Sequence, residues 1–149
     1  YKRQCMQNGL KTRENGKPHF EERFAPSLPA IEGNRGQMQL ALHHLLQNAV
    51  EANTDPEAKI TVATEAVDDA VKIHIQDSGC GIPEEIRDRI FDPFFTTKKV
   101  QKRAGLGLML VLGVVKNHGG EIDVLSETGK GTTVTLTLPI KQKQAPSIQ

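Results

Sequence analysis

The chain has no tryptophan, one tyrosine and two cysteines. It therefore offers little aromatic surface for stacking unpaired bases, which argues against a single-stranded nucleic-acid binder. The thiols of Cys5 and Cys80 are too few for a disulfide framework, and neither lies in a CxxC or Cys/His spacing that would hold zinc. A reducing, cytosolic compartment fits best. A bilayer-crossing apolar run and a secretory signal are both missing. Nor is charge of one sign in excess. The formal net charge is +1, so bulk attraction to nucleic acid or anionic lipid is not expected.

What is present describes an ordinary globular chain. With 149 residues, 37% apolar and 25% charged, it has the size of one domain with a core of its own. Residues 1–18 include "NGLKTRENGKP", turn signals without a sustained period, and read as a linker or tail. Residues 141–149 form a polar tail, leaving 19–140 as the domain. The first residue is Tyr1 rather than Met, which suits a piece of something longer.

Periodicity divides the domain. A short strand is expected over His19 to Phe24, then a proline-punctuated loop. From Gly36 to Asn53 the spacing predicts a helix whose apolar side carries Met38, Leu42, Leu45, Ala49 and Ala52, widened by Leu46 and Val50; Asp55 and Pro56 stop it. Two alternating runs follow. Ile60, Val62 and Thr64 share one parity, Val71, Ile73 and Ile75 share another, and "VDD" joins them as a hairpin. "PEEIRDRIF" is a short helix with Pro and acids at its start. "DPFFTTKKVQKRAG" is a long loop, and "LGLMLVLGVVKNHGG" an apolar helix with a Gly-Gly stop. "EIDVLSE" and "GTTVTLTLP" form a last hairpin around "TGKG". No internal repeat is found. This mixture favours an α/β two-layer sandwich, with helices on one face of a mixed sheet.

Three features point to chemistry. Asp77 closes its strand with the parity of Val71, Ile73 and Ile75, so its carboxylate should face the buried side. A charge there needs donors or has a purpose. Gly79 and Gly81, Gly105 and Gly107, and Gly129 and Gly131 form three glycine pairs, none completing a P-loop or a dinucleotide fingerprint. Gly105 and Gly107 precede an apolar helix, where bare amides suit either an anion or close packing. His44, Asn48 and Glu51 share a polar stripe along the first helix. An Asn carbonyl there is a plausible hard ligand for Mg²⁺, whereas Glu51 suits a solvated face better.

"LHHLLQNAVEA", "DSGCGI", "FDPFFTTK", "GLGL" and "GKGTTVTLTLP" resemble, in order and spacing, the N, G1, F, G2 and G3 boxes of the ATP-binding catalytic domain of sensor histidine kinases, within the gyrase, Hsp90, histidine kinase and MutL ATPase superfamily. The likeness covers about His19 to Pro139, and the "NAVEA" and "FTTK" variants most resemble two-component kinases of the nitrogen-regulatory sort. The resemblance implies the Bergerat ATP-binding fold, a mixed, mainly antiparallel sheet with about three helices on one face. It also implies a site for ATP and Mg²⁺. Asp77 would accept from the adenine amino group, with Gly79, Gly81 and Ile82 shaping the loop. Asn48 would bind Mg²⁺, Thr132 would support Asp77 and a water, and Gly105, Leu106, Gly107 and Leu108 would place amides near the phosphates. Phe91 to Gly107 would be a lid carrying Lys98, Lys99, Lys102 and Arg103, with Lys98 the strongest candidate for a phosphate contact.

Two departures from the family pattern stand out. "RAGLGL" puts Arg103 and Ala104 where these kinases usually have Gly and Thr, and His44 stands where Asn is common. His44 is accordingly a candidate γ-phosphate contact or metal-adjacent group, with a purely structural histidine as the alternative. None of the five histidines sits in an H-[ED]-x-x-[NT]-P acceptor motif. The implied partners are thus a dimerisation and phosphoacceptor hairpin preceding residue 1, in a full-length homodimer, and a response regulator. The isolated domain is expected to be a monomer and to bind no nucleic acid. Open alternatives are a nucleotide-holding module without transfer, and a Ser/Thr kinase or ATPase of the same superfamily.

Overall fold

The computed structural model describes residues 19–52, 58–87, 90 and 107–140. In chain order the elements are β1 (His19–Arg23), α1 (Arg35–Ala52), β2 (Lys59–Val67), β3 (Ala70–Asp77), α2 (Glu84–Arg87), α3 (Gly107–Asn117), β4 (Glu121–Glu127) and β5 (Gly131–Pro139). Both long helices fall within a residue or two of the stretches that periodicity marks, and α2 is a single turn. The strands form one five-stranded sheet in the order β1-β2-β3-β5-β4. β1 runs parallel to β2, and the other pairs are antiparallel, which makes the sheet mixed.

Two hairpins set the register. In the first, Asp68 takes a φ of 53°, a left-handed value that Asp tolerates better than most residues. In the second, Gly129 (φ 82°) turns the chain and Lys130 N–H donates to Glu127 O at 3.0 Å. Pairing then places Ile60 against Asp77, and Asp77 against Thr132. Since side chains alternate across a strand, Ile60, Ile75, Asp77, Thr132, Leu136 and Ser126 all point to one face.

That face is the core. Ala41, Leu45 and Ala49 of α1 meet Val111, Val114 and Val115 of α3 and Ile60, Ile75 and Leu136 of the sheet. The deepest line of α1 is one of two alanines and a leucine, shifted from the Met38–Leu42 edge expected from periodicity, and Met38 and Leu42 only flank the cluster. Small side chains let a helix lie close to its neighbours, so the narrowest residues occupy the centre. The opposite face of the sheet is polar. His74 there lies 2.9 Å from both Thr135 Oγ1 and Glu65 Oε1, and the second of these contacts is exposed and contributes little to stability.

The two helices are tied together by His118, which is 4% exposed. Its Nδ1–H donates to Val114 O at 2.7 Å, and its Nε2 accepts from Asn34 N–H at 2.9 Å. Asn34 in turn caps α1, its Oδ1 accepting from Gln37 N–H at 3.0 Å. One imidazole thus anchors the start of α1 to the end of α3, and it needs the neutral ring with the proton on Nδ1. The adjacent Gly33 is pressed against that ring, where a Cβ would lie 2.6 Å from Nε2. Replacing His118 by Leu, of similar size, leaves the Asn34 amide without its acceptor. The expected loss is about 1–3 kcal/mol in urea unfolding, and an unchanged midpoint would contradict this account.

Candidate nucleotide-binding site

Asp77 is 8% exposed at the end of β3, as its parity predicts. Gly79 N–H donates to its Oδ1 at 2.9 Å, and the backbone N–H of Thr132 also donates to the carboxylate. Burial pushes the carboxyl above its ordinary value, and these two amides act in the opposite direction without cancelling the effect. Such a group is an acceptor held ready, its charge only partly satisfied by the protein.

The loop after Asp77 is wedged between α1 and the β4–β5 hairpin. A Cβ on Gly79 would lie 2.5 Å from Ala52 O at the end of α1, and one on Gly81 (φ 74°) would strike the Glu127 carbonyl. A Cβ on Gly131 (φ 122°) would strike Asp77's own carbonyl. The glycines around the acid therefore serve close backbone approach. Further bonds fix the loop: Gly129 N–H donates to Cys80 O at 2.8 Å, and Ile82 N–H to Ser126 Oγ at 2.7 Å. Arg87 of α2 donates to the carbonyls of Ile82 and Ser126.

Of the residues picked out from sequence, Asp77, Gly79, Gly81, Ile82 and Thr132 come together in this way. Asn48 lies on α1 one turn before Ala52, whose carbonyl faces Gly79, and His44 lies one turn before that. Both are half-buried, and the His44 ring meets that of His43 edge-on at 6.3 Å. Glu51 Oε1 accepts from Gln47 Nε2 at 3.3 Å. Gly107 opens α3, and Leu108 packs against the core. Phe91, Lys98, Lys99, Lys102, Arg103, Ala104, Gly105 and Leu106 lie outside the described residues. Arg87 and Ser126 were not anticipated. For Ser126 a signal existed, since it is a hydroxyl on the inward parity of Ile122 and Val124; for Arg87 there was none.

The direction of the Asp77 shift gives a pH test. A carboxyl that binds its proton more tightly in the native state than in the unfolded chain favours folding below the ordinary value of 3.8, and that contribution is lost as pH rises through the native value. Asn does not titrate. The stability of the unaltered chain relative to Asp77→Asn should therefore rise as pH falls through this window, measured by thermal unfolding at matched pH; a difference that stays flat or shrinks would contradict the assignment.

Among the described residues, no helix is long and apolar enough to cross a membrane, and no three His, Cys, Asp or Glu side chains gather as a metal cluster. A family described as "Histidine kinase-, DNA gyrase B-, and HSP90-like ATPase" matches residues 33–142. The chain is 39% identical to the sensor kinase CckA of Brucella abortus over 133 residues, covering 77% of this chain and 14% of that protein. It is 40% identical to the sensor histidine kinase ZraS of Escherichia coli, covering 76% and 24%. With the sensory histidine kinase/phosphatase NtrB of Azospirillum brasilense the figures are 35% identity, 81% and 33%. The chain thus spans a third or less of the length of these relatives. Among solved structures, the catalytic domain of the histidine kinase ThkA matches with a TM-score of 0.74 at 28% identity, covering 95% of this chain and 91% of that one. Full-length ShkA in complex with AMPPNP matches with a TM-score of 0.72 at 27% identity, covering 98% and 30%. A sheet that buries an acid beside glycine-dependent turns, matched in sequence and in shape to these proteins, belongs to the histidine kinase-, DNA gyrase B- and HSP90-like ATPase family, as an ATP-binding catalytic domain of the sensor histidine kinase type.

Proposed function

We propose that the domain holds Mg-ATP between α1, the loop 78–82 and the β4–β5 hairpin, and that the γ-phosphate passes to a histidine on a separate helical hairpin, from which a response regulator receives it. The observation that carries this reading is the buried Asp77 carboxylate, kept in place by the Gly79 and Thr132 amides. Ionised, it accepts from the amino group of adenine. Guanine presents a carbonyl at the same position, so two acceptors would face each other, and a buried mismatch of that kind discriminates strongly.

Asn48 would supply the side-chain oxygen for Mg²⁺. The donor set fits: a hard neutral carbonyl, with no acidic cluster among the described residues, suits an ion that keeps its waters and the nucleotide's own phosphates. The ion, when bound, neutralises phosphate charge. His44, one turn away, would face the terminal phosphate, and Gly107 would offer a backbone amide where α3 begins. Lys98 and its basic neighbours would add charge from the lid, screened over about 8 Å in physiological salt. Phosphoryl transfer asks for this positioning and neutralisation more than for covalent help. The phosphoacceptor hairpin would dimerise the full-length protein, and the domain would work on the cytoplasmic side.

Titration of the chain with ATP, ADP and GTP, with and without Mg²⁺, tests the site. ATP should bind far more tightly than GTP, and Asp77→Asn should lose most of that affinity while remaining folded; unchanged affinity in a folded variant would refute the adenine contact. Asn48→Ala should weaken binding mainly when Mg²⁺ is present, and equal losses without the metal would remove its assigned role. For the transfer step, labelled ATP and a separate acceptor-hairpin domain should give acid-labile label on histidine. Acid-stable label on serine, or free phosphate, would favour another member of the superfamily, and absence of transfer would favour a nucleotide-holding module, the alternative that Arg103 and Ala104 suggest.

A further inference from the structure

Ser126 is a hydroxyl on the inward face of β4, opposite Thr132 of β5. Its Oγ has three polar neighbours: Ile82 N at 2.7 Å, Thr132 Oγ1 at 2.8 Å and Gly131 O at 3.1 Å. The Ile82 amide can only donate, and the Gly131 carbonyl can only accept. A hydroxyl has one proton and two lone pairs. All three contacts are satisfied in a single way: Ser126 gives its proton to Gly131 O and accepts from Ile82 N–H and from the Thr132 hydroxyl. Thr132 then has no proton left to offer, and its Oγ1 presents lone pairs only.

We propose that Ser126 is a positioning residue for base selection, which fixes the Thr132 hydroxyl as an acceptor so that it opposes a 6-carbonyl purine together with Asp77. Thr132 is paired directly with Asp77 and shares its parity, so the acid and the hydroxyl are neighbours on one side of the sheet. An amino group arriving there, or a water carrying its proton, meets two acceptors. A carbonyl meets the same two and can pair with neither. Arg87 reinforces the arrangement by holding the Ser126 and Ile82 carbonyls together, so the serine sits in a backbone frame braced from α2. The inference rests on the nucleotide reading above and adds to it the residue that orients the second acceptor.

The test compares ATP with ITP, which carries a carbonyl in place of the 6-amino group, by competitive titration on the full 149-residue chain. In Ser126→Ala the Thr132 hydroxyl is released to donate, and the preference for ATP over ITP should contract on the order of tenfold. Ser126→Thr keeps the hydroxyl and should keep the preference. In a Thr132→Val background, Ser126→Ala should change the ratio no further, because the two act as one unit. Ser126→Cys, close in volume but a weak donor and acceptor, serves if the alanine variant does not fold, with the same contraction expected. A role confined to bracing the loop would weaken both nucleotides equally and leave the ratio intact, which would overturn the proposal, as would an equal contraction in the Thr132→Val background. If the unaltered chain does not prefer ATP to ITP, the adenine reading itself fails. If it does prefer ATP and Ser126→Ala changes nothing, that reading stands and the role given to Ser126 falls.

Discussion

A carboxylate taken out of water at the end of a strand is the constraint around which the rest of the domain is arranged. Asp77 is held by two backbone amides, from Gly79 and Thr132, and both come from segments whose paths are set by the sheet and its turns. Leaving a buried charge unpaired costs several kcal/mol in most settings, on the order of a domain's whole stability. The donors must therefore be in place whenever the domain is folded. Register supplies this. A slip of one residue between β3 and β5 would turn Asp77 to the polar face and bury Gln76 in its stead.

The surrounding glycines follow from the same requirement. For the loop after Asp77 to return an amide to the carboxylate, it has to pass within backbone contact of Ala52 O on one side and Glu127 O on the other. Side chains would block both approaches. Ala52 ends the helix that carries Asn48 and His44, while Glu127 ends the strand that carries Ser126. The contacts that satisfy the acid are thus also the ones that bring the proposed metal ligand and the proposed selectivity residues to a common edge. His118, far from this edge, fixes where α1 begins relative to α3, and hence how the helix meets the loop.

Much of this was legible in the sequence, and the reason is local. The period of α1, the alternation in β2 through β5, and the inward parity of Asp77 are properties of neighbouring residues, and the structure agrees with each. The five boxes added order and spacing. What could not be read was long-range. Nothing near His118 announces that its Nε2 serves an amide 84 positions earlier in the chain, and nothing near Arg87 shows that it spans 39 positions to the Ser126 carbonyl. The burial of Ala41 in α1 ahead of Met38 and Leu42 likewise depends on what packs against it. The family resemblance implies that Gly79 and Gly81 shape the loop beside Asp77, and the structure supplies a backbone reason for them in the carbonyls they approach.

In the proposed site, base selection and phosphate handling would be built from different materials, and that separation has a mechanistic consequence. The proposed base end consists of strand termini, hairpin backbone and short hydrogen bonds, with Asp77, Thr132 and Ser126 on strands paired to one another. The proposed phosphate end would draw on one face of α1 and on the start of α3, elements joined to the sheet through side-chain packing. Packed helices can shift against a sheet by small amounts at modest cost, whereas paired strands resist it. A domain that, as proposed, keeps its nucleotide while presenting the terminal phosphate to another domain would benefit from that division. In that proposal the strand-built end would set which nucleotide is held, and adjustment at the other end would bring the reacting phosphate to its acceptor without loosening the grip on the base.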